Sequence, residues 1–152
     1  MKPFLFRLDS ILKLRAREEA QAQELFDQSM NARFRAEHEL NEARAELDRC
    51  EQAITEKRAS RASGNDHVIF LNAAQLQREN CERLAVRLET ARKEMEKHRQ
   101  LFQTARRRHE AMLRLRERNQ RTHAAAEQRR EENAISDLIM SRYALRNDEA
   151  FS

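Results

Sequence analysis

A long two-helix antiparallel coiled-coil hairpin, all-α, follows from three features of this sequence. Hydrophobic residues make up 39% of the 152 and charged residues 37%, and there is one proline, Pro3, and one glycine, Gly64. Strong helix formers dominate and almost nothing interrupts them. Apolar residues recur at alternating steps of three and four on both sides of Gly64, and Ser60, Ser63, Gly64, Asn65 and Asp66 cluster between the two runs. These residue types favour turns, the glycine because it tolerates positive φ and the others because short polar side chains bond to local backbone. The chain is therefore read as one hairpin over residues 1–152, with a first helix over about 4–59, a turn over about 60–68 and a second helix over about 69–146.

The first helix is predicted by the row Leu5, Leu8, Leu12, Arg15, Glu19, Ala22, Phe26, Ser29, Arg33, Ala36, Leu40, Ala43, Leu47, Cys50 and Ile54, of which eleven of fifteen are apolar. That is a heptad a/d pattern, the signature of a left-handed coiled coil. Met30 and Phe34 stand just off the row, which predicts a drift of the seam there. After the turn, the same rule picks out Phe70, Ala74, Gln77, Cys81, Leu84, Leu88, Ala91, Met95, His98, Phe102, Ala105, His109 and Met112, ten of thirteen apolar. Phe26, Leu40, Leu47, Ile54, Leu84, Leu88, Met95 and Phe102 are the expected coiled-coil core. A fold-back centred on Gly64 and Asn65 sets Leu40 near Ala91, Ala43 near Leu88, Ala36 near Met95, Phe26 near Ala105 and Cys50 beside Cys81. Large residues then meet small ones, as dense packing requires.

Charge supports this pairing. Glu18 to Glu51 holds ten acidic and four basic residues, whereas Arg92 to Arg130 holds thirteen basic and five acidic. An antiparallel hairpin sets the acidic arm against the basic one, while a parallel homodimer would oppose like charges, so a monomer is expected. Exposed ion pairs contribute only about 0.2 to 1 kcal/mol each and buried leucines about 1.5 to 3, so apolar burial holds the arms together.

Past Met112 the seam turns polar, through Arg116, Asn119, His123, Ala126 and Arg130. Phe4, Leu5, Phe6, Leu8, Ile11 and Leu12 crowd the N-terminus, and Ile135, Leu138, Ile139 and Tyr143 form a C-terminal cluster. The expected pairing leaves the second helix overhanging the first by about twenty residues, roughly 30 Å at helical rise. An apolar cluster with no partner in its own chain marks a contact with another protein.

Several function classes fall away. Regular apolar spacing argues against disorder despite the charge. No apolar run reaches the roughly 18 residues that span a bilayer, and Lys2, Arg7 and Asp9 break any signal-peptide core, so a cytosolic protein is expected. Cys50 and Cys81 are too few for a secreted disulfide framework and are expected as packed thiols. One glycine cannot build a phosphate-cradling loop, and no HExxH or CxxC spacing is present, so neither catalysis nor a cofactor or metal is expected. His98 and His109 share a face with Cys81 but lie several turns apart, and the reading preferred for them is seam packing. The run Arg106, Arg107, Arg108, Arg114, Arg116, Arg118 and Arg121 could track a phosphate backbone, making an RNA-binding arm one alternative function. No aromatic interleaves Met112 to Ala134 for base stacking, and Glu110 to Arg114 and Glu117 to Arg121 allow pairing along the helix. Ion pairing with the acidic arm and with the same helix is therefore preferred, and nucleic acid is not expected as a partner. A self-associating scaffold is the other alternative. At the turn, Phe70, Leu71 and Leu76 either close the coil or form a docking site, since a narrow seam cannot bury Val68, Ile69, Phe70 and Leu71 together.

The opening, Phe4-Leu-Phe-Arg-Leu-Asp-Ser-Ile-Leu-Lys-Leu-Arg-Ala-Arg-Glu-Glu19, resembles the start of the FliJ family of flagellar export proteins and of its counterparts in virulence type III secretion. Glu132-Asn-Ala-Ile-Ser-Asp-Leu-Ile139 is similar to the family's acidic tail motif, with Ser136-Asp137-Leu138 where Leu-Asp-Glu is common. The resemblance extends over nearly the full length. It implies a non-enzymatic stalk at the inner face of the cell membrane, compared with the shaft of rotary ATPases. The paired termini would enter the hexameric export ATPase, promoting ring assembly, and the other end would meet the membrane export gate; the family also helps escort export chaperones. On this reading Phe4, Phe6, Leu8, Ile11, Leu12, Ile135, Leu138, Ile139 and Tyr143 are the ring contacts, and Phe70, Leu71 and Leu76 the gate contacts.

Overall fold

A computed structural model describes residues 2–60 and 63–151. Two long helices, α1 (Asp9–Ala59) and α2 (Gly64–Phe151), form an antiparallel helical hairpin with no strand among the described residues. Contacts divide the chain into two units. One joins Met1–Glu18 to Arg106–Ser152, and the other is Glu19–Ala105.

Helix α1 starts at Asp9 rather than near Phe4. The segment before Asp9 turns in to helix through Asp9 N–H donating to the Phe6 carbonyl at 3.2 Å. Asp9 then sits at the positive end of the helix dipole, and Lys57 and Arg58 at the negative end. Helix α2 starts at Gly64, about five residues earlier than its apolar row suggests. Ser63 caps it: its hydroxyl accepts from Asp66 N–H at 3.4 Å and its carbonyl from His67 N–H at 3.2 Å. The glycine is thus the first helical residue and its φ is not left-handed, so positive φ is not its role here. Asn65 and Asp66 belong to the first turn of α2, not to the connection. Arg61 and Ala62, inside the expected turn, lie outside the described residues.

In the Glu19–Ala105 unit every row position is buried or half-buried. Ala36, Leu40, Ala43, Leu84 and Leu88 form the central cluster, with Cys81, Ala85 and Ala91 packed against it. Leu40 is the best shielded of these, at 2% exposure. Ile54 and Ala74 are also buried, while Phe26, Leu47, Met95 and Phe102 are half-buried. The row continues through Ser29, Arg33 and Ala36; of the two residues just off it, Met30 is half-buried, as a local drift requires, whereas Phe34 faces solvent with the Arg33 guanidinium 4.9 Å from its ring centroid. Ser29 is accommodated in the seam because its hydroxyl donates to the Phe26 carbonyl at 2.7 Å.

The pairing is shifted from the expected register. Phe26 stacks on Phe102, with centroids 6.0 Å apart and planes within 10°, and not on Ala105. The cause is the capped start of α2, which moves the centre of the turn towards the N-terminus. Ion pairs from Arg78 to Glu51 at 3.4 Å and from Arg87 to Glu39 at 3.6 Å cross between the helices, and Gln77 donates to the Ala43 carbonyl at 3.1 Å. Cys50 and Cys81 are free thiols.

Candidate partner-binding surfaces

No helix among the described residues is long and apolar enough to cross a membrane. Nor is any group of three or more His, Cys, Asp or Glu side chains gathered there to hold a metal ion. His98 lies beside Glu94 at 3.6 Å, and Cys81 is taken up by the central apolar cluster. Three regions of the surface stand out.

In the Met1–Glu18 and Arg106–Ser152 unit, the N-terminal apolar residues are largely occupied within the chain. Leu12 is buried, Phe4, Phe6 and Leu8 are half-buried, and Ile11 is 39% exposed. Phe4 stacks on Phe6 at 6.5 Å and tilts against the His123 ring at 5.7 Å. It sits in a groove with Lys2 and Pro3 on one side and Gln120, Glu127 and Glu131 on the other. The seam of α2 also departs from its expected course here. Leu115, His123 and Glu127 are half-buried, whereas Arg116, Asn119, Ala126 and Arg130 are exposed. Glu127 is held by Arg130 at 3.0 Å and faces His123 at 4.0 Å.

Beyond this groove, residues 132–151 are exposed throughout. Ile135, Leu138, Ile139, Met140, Tyr143, Leu145 and Phe151 are between 58% and 93% exposed, on a helix that nothing in the described unit covers. Sequence reasoning marked Ile135, Leu138, Ile139 and Tyr143 but omitted Met140, Leu145 and Phe151. Continuing the three-four row from Arg130 reaches Met140 and Phe151; Leu145 was visible only as a large apolar residue in a helix with no partner.

Near the start of α2, Leu71 is 40% and Leu76 67% exposed, joined by Val68 at 54% and Ile69 at 64%. Phe70 is different. It is half-buried, with the Lys57 ammonium 5.8 Å from its ring centroid, and so closes the seam rather than facing outward.

The arginines are not placed as charge matching suggested. Acidic residues of α1 fall almost entirely in the Glu19–Ala105 unit, while Arg106 to Arg130 share their unit with Met1–Glu18. Their partners are on their own helix: Arg106 with Glu110 at 3.0 Å, Arg121 with Glu117 at 2.5 Å, and Arg114 donating to the Glu110 carbonyl at 3.4 Å.

No curated protein and no solved structure matches this chain. A family model described as Flagellar FliJ protein matches residues 4–148, from the first packed phenylalanine to near the end of α2. With that match over nearly the whole hairpin, the chain belongs to the FliJ family of flagellar proteins.

Proposed function

We propose that this chain is the non-enzymatic central stalk of a protein-export apparatus, inserting the unit built from its termini into the hexameric export ATPase and meeting the membrane export gate through residues at the start of α2. Family membership supplies the coarser part, a flagellar, export-related role. The observation that carries the finer part is the bare helix over residues 132–151. Seven large apolar side chains stand exposed there, on a scale that isolated surface leucines do not reach. In water this face is unfavourable, and burial against a ring interior would recover roughly 25 cal/mol for each Å² of apolar surface covered. Ile135, Leu138, Ile139 and Tyr143 are the principal ring contacts, with Met140 and Leu145 added. Phe4, Phe6, Leu8 and Leu12 act by bracing α2 from within the unit, and Ile11 is left partly available.

At the gate, the side chains offered are Leu71 and Leu76 with Val68 and Ile69, and Phe70 supports them. Export chaperones are further partners of the same stalk. The test is steady-state ATP hydrolysis by the export ATPase with the full chain and with a variant lacking residues 134–152. Stimulation by the full chain that the shorter one loses is expected. Equal stimulation by both would remove the C-terminal helix from the ring contact, and no stimulation or co-sedimentation by either would sink the stalk reading.

A further inference from the structure

Along the bare part of α2, one face of the helix reads acidic, then apolar, then basic. Glu131 and Glu132 come first, Ile135, Leu138 and Ile139 follow, and Arg142 and Arg146 end it. Steps of one, three or four residues keep all of these on one side of a helix, and every one of them is exposed. The face begins where cover from the same chain ends, since Glu131 is the last residue of α2 to border the groove that holds Phe4. Within the helix, Glu132 accepts from Gln128 at 3.2 Å, an exposed contact that is given up at little cost. Turned end over end, this face matches itself. With a two-fold axis beside Leu138, Glu131 and Glu132 of one copy come level with Arg146 of the other, and Leu138 and Ile139 meet at the axis. Ile135 comes level with Arg142, whose guanidinium then lies one turn from Glu131. Asp148 and Glu149 fall level with Arg129 and Gln128, so no acidic side chain of the segment comes level with another. Side by side in parallel, every charge would instead face its own copy.

We infer that this face docks a second copy of the chain, the two helices running antiparallel over residues 131–146. A self-complementary patch is what a two-fold contact between identical subunits requires. Planar guanidinium groups pair with carboxylates through two parallel bonds, so Arg142 and Arg146 suit Glu131 and Glu132 of the other copy. The acidic start of the face disfavours an anionic lipid surface, which would attract only its basic end. Charges flanking an apolar seam select the orientation of paired helices, and the apolar residues at the centre supply most of the attraction. The monomer expected from the arm charges concerns pairing through the arms, whereas this contact lies beyond them. The patch is small, so the dimer belongs with weak, reversible contacts and dissociates in the micromolar range. Its consequence for regulation rests on the stalk reading: Ile135, Leu138 and Ile139 are the residues assigned there to the ring. Two unassembled chains would cover each other's ring contacts, and the ring would draw on the free chain released when the pair parts.

The test is sedimentation equilibrium of the full chain across the micromolar range, beside a basic variant (Glu131→Lys, Glu132→Lys) and an acidic variant (Arg142→Glu, Arg146→Glu). Lysine and glutamate are good helix formers, and circular dichroism checks that helicity is kept. The full chain should pass from single to double mass as concentration rises, and added salt should push the transition to higher concentration. Each variant alone brings like charges together and should self-associate about tenfold or more weakly. An equimolar mixture of the two variants opposes lysine to glutamate at both ends of the face and should recover the double mass. A full chain that keeps a single mass throughout would overturn the proposal. So would variants that pair with themselves as well as the full chain does, or a mixture that recovers nothing. Stimulation of the export ATPase reports on the stalk reading separately. A single mass with stimulation removes the dimer alone, while a double mass without stimulation keeps the dimer and removes the ring.

Discussion

Replacing Leu40 by alanine should be the most damaging single truncation in the Glu19–Ala105 unit. Its side chain is 2% exposed and lies among Ala36, Ala43, Leu84 and Leu88. Removing it forfeits the transfer free energy of a buried leucine, about 1.5 to 3 kcal/mol less the part a buried alanine retains. A cavity adds to this. The neighbours on its own helix are alanines, too short to fill the space, and Leu84 and Leu88 are already 7% and 6% exposed, so they are committed to the same seam. A two-helix seam is open at its flanks and can partly close, which keeps the cavity term small. The sum is a loss of about 2 to 4 kcal/mol, within the usual span for such truncations. Urea unfolding followed by far-UV circular dichroism measures it, with Leu47→Ala as the internal comparison. Leu47 is only half-buried and should lose about half as much. A Leu40→Ala loss below about 1 kcal/mol, or one no larger than that of Leu47→Ala, would refute the packing described.

Three further outcomes follow from particular residues. Gly64→Ala should stabilise the hairpin by about 0.4 to 1 kcal/mol, since the position is helical, its φ is not left-handed and an added Cβ meets nothing within 4 Å; destabilisation in the same urea titration would contradict that geometry. Deleting residues 134–152 should leave the urea midpoint of the remaining chain unchanged, because the removed side chains described are exposed, and a clear drop would show that they are covered. Glu96 should titrate below the ordinary glutamate range by NMR, chiefly because Arg99 donates to it at 2.9 and 2.6 Å. A carboxylate depressed in the folded chain adds stability above its unfolded pKa and loses it as pH falls through the folded value, so the effect disappears in acid, and Arg99→Gln should remove most of the shift, leaving the smaller part from Gln100.

Both helical rows were legible from residue types alone, because a three-four repeat of apolar side chains has no other economical use than a helical seam. Every row position from Leu8 to Ile54 and from Phe70 to Met112 is buried or half-buried. What did not show was the register. It depends on the few residues at the turn, where Ser63, Gly64, Asn65 and Asp66 all favour a bend in isolation. The arrangement of serine followed three positions later by a carboxylate is also a helix-start signature, and that reading sets Phe26 on Phe102 instead of Ala105. The N-terminal phenylalanines were visible as apolar, but whether they face a partner or their own chain depends on Phe4 meeting His123, a contact between residues far apart in sequence. Charge counting over whole arms likewise missed that Arg106 to Arg130 lie beside a segment that is itself basic.

The short connection between the helices also bears on how the hairpin forms. Arg58 and His67, nine residues apart, already meet across it, and the contacts from Arg78 to Glu51 and Gln77 to Ala43 span 27 and 34 residues. Each successive pair in the Glu19–Ala105 unit closes only a slightly larger loop once the previous pair is made, and loop-closure entropy grows slowly with length. Pairing is thus expected to begin at the capped turn and advance along the seam like a zipper. On that scheme the truncation Ile54→Ala, close to the connection, slows refolding, whereas Phe26→Ala, at the far end of the same unit, chiefly speeds unfolding. Stopped-flow refolding and unfolding rates of the two variants separate these cases.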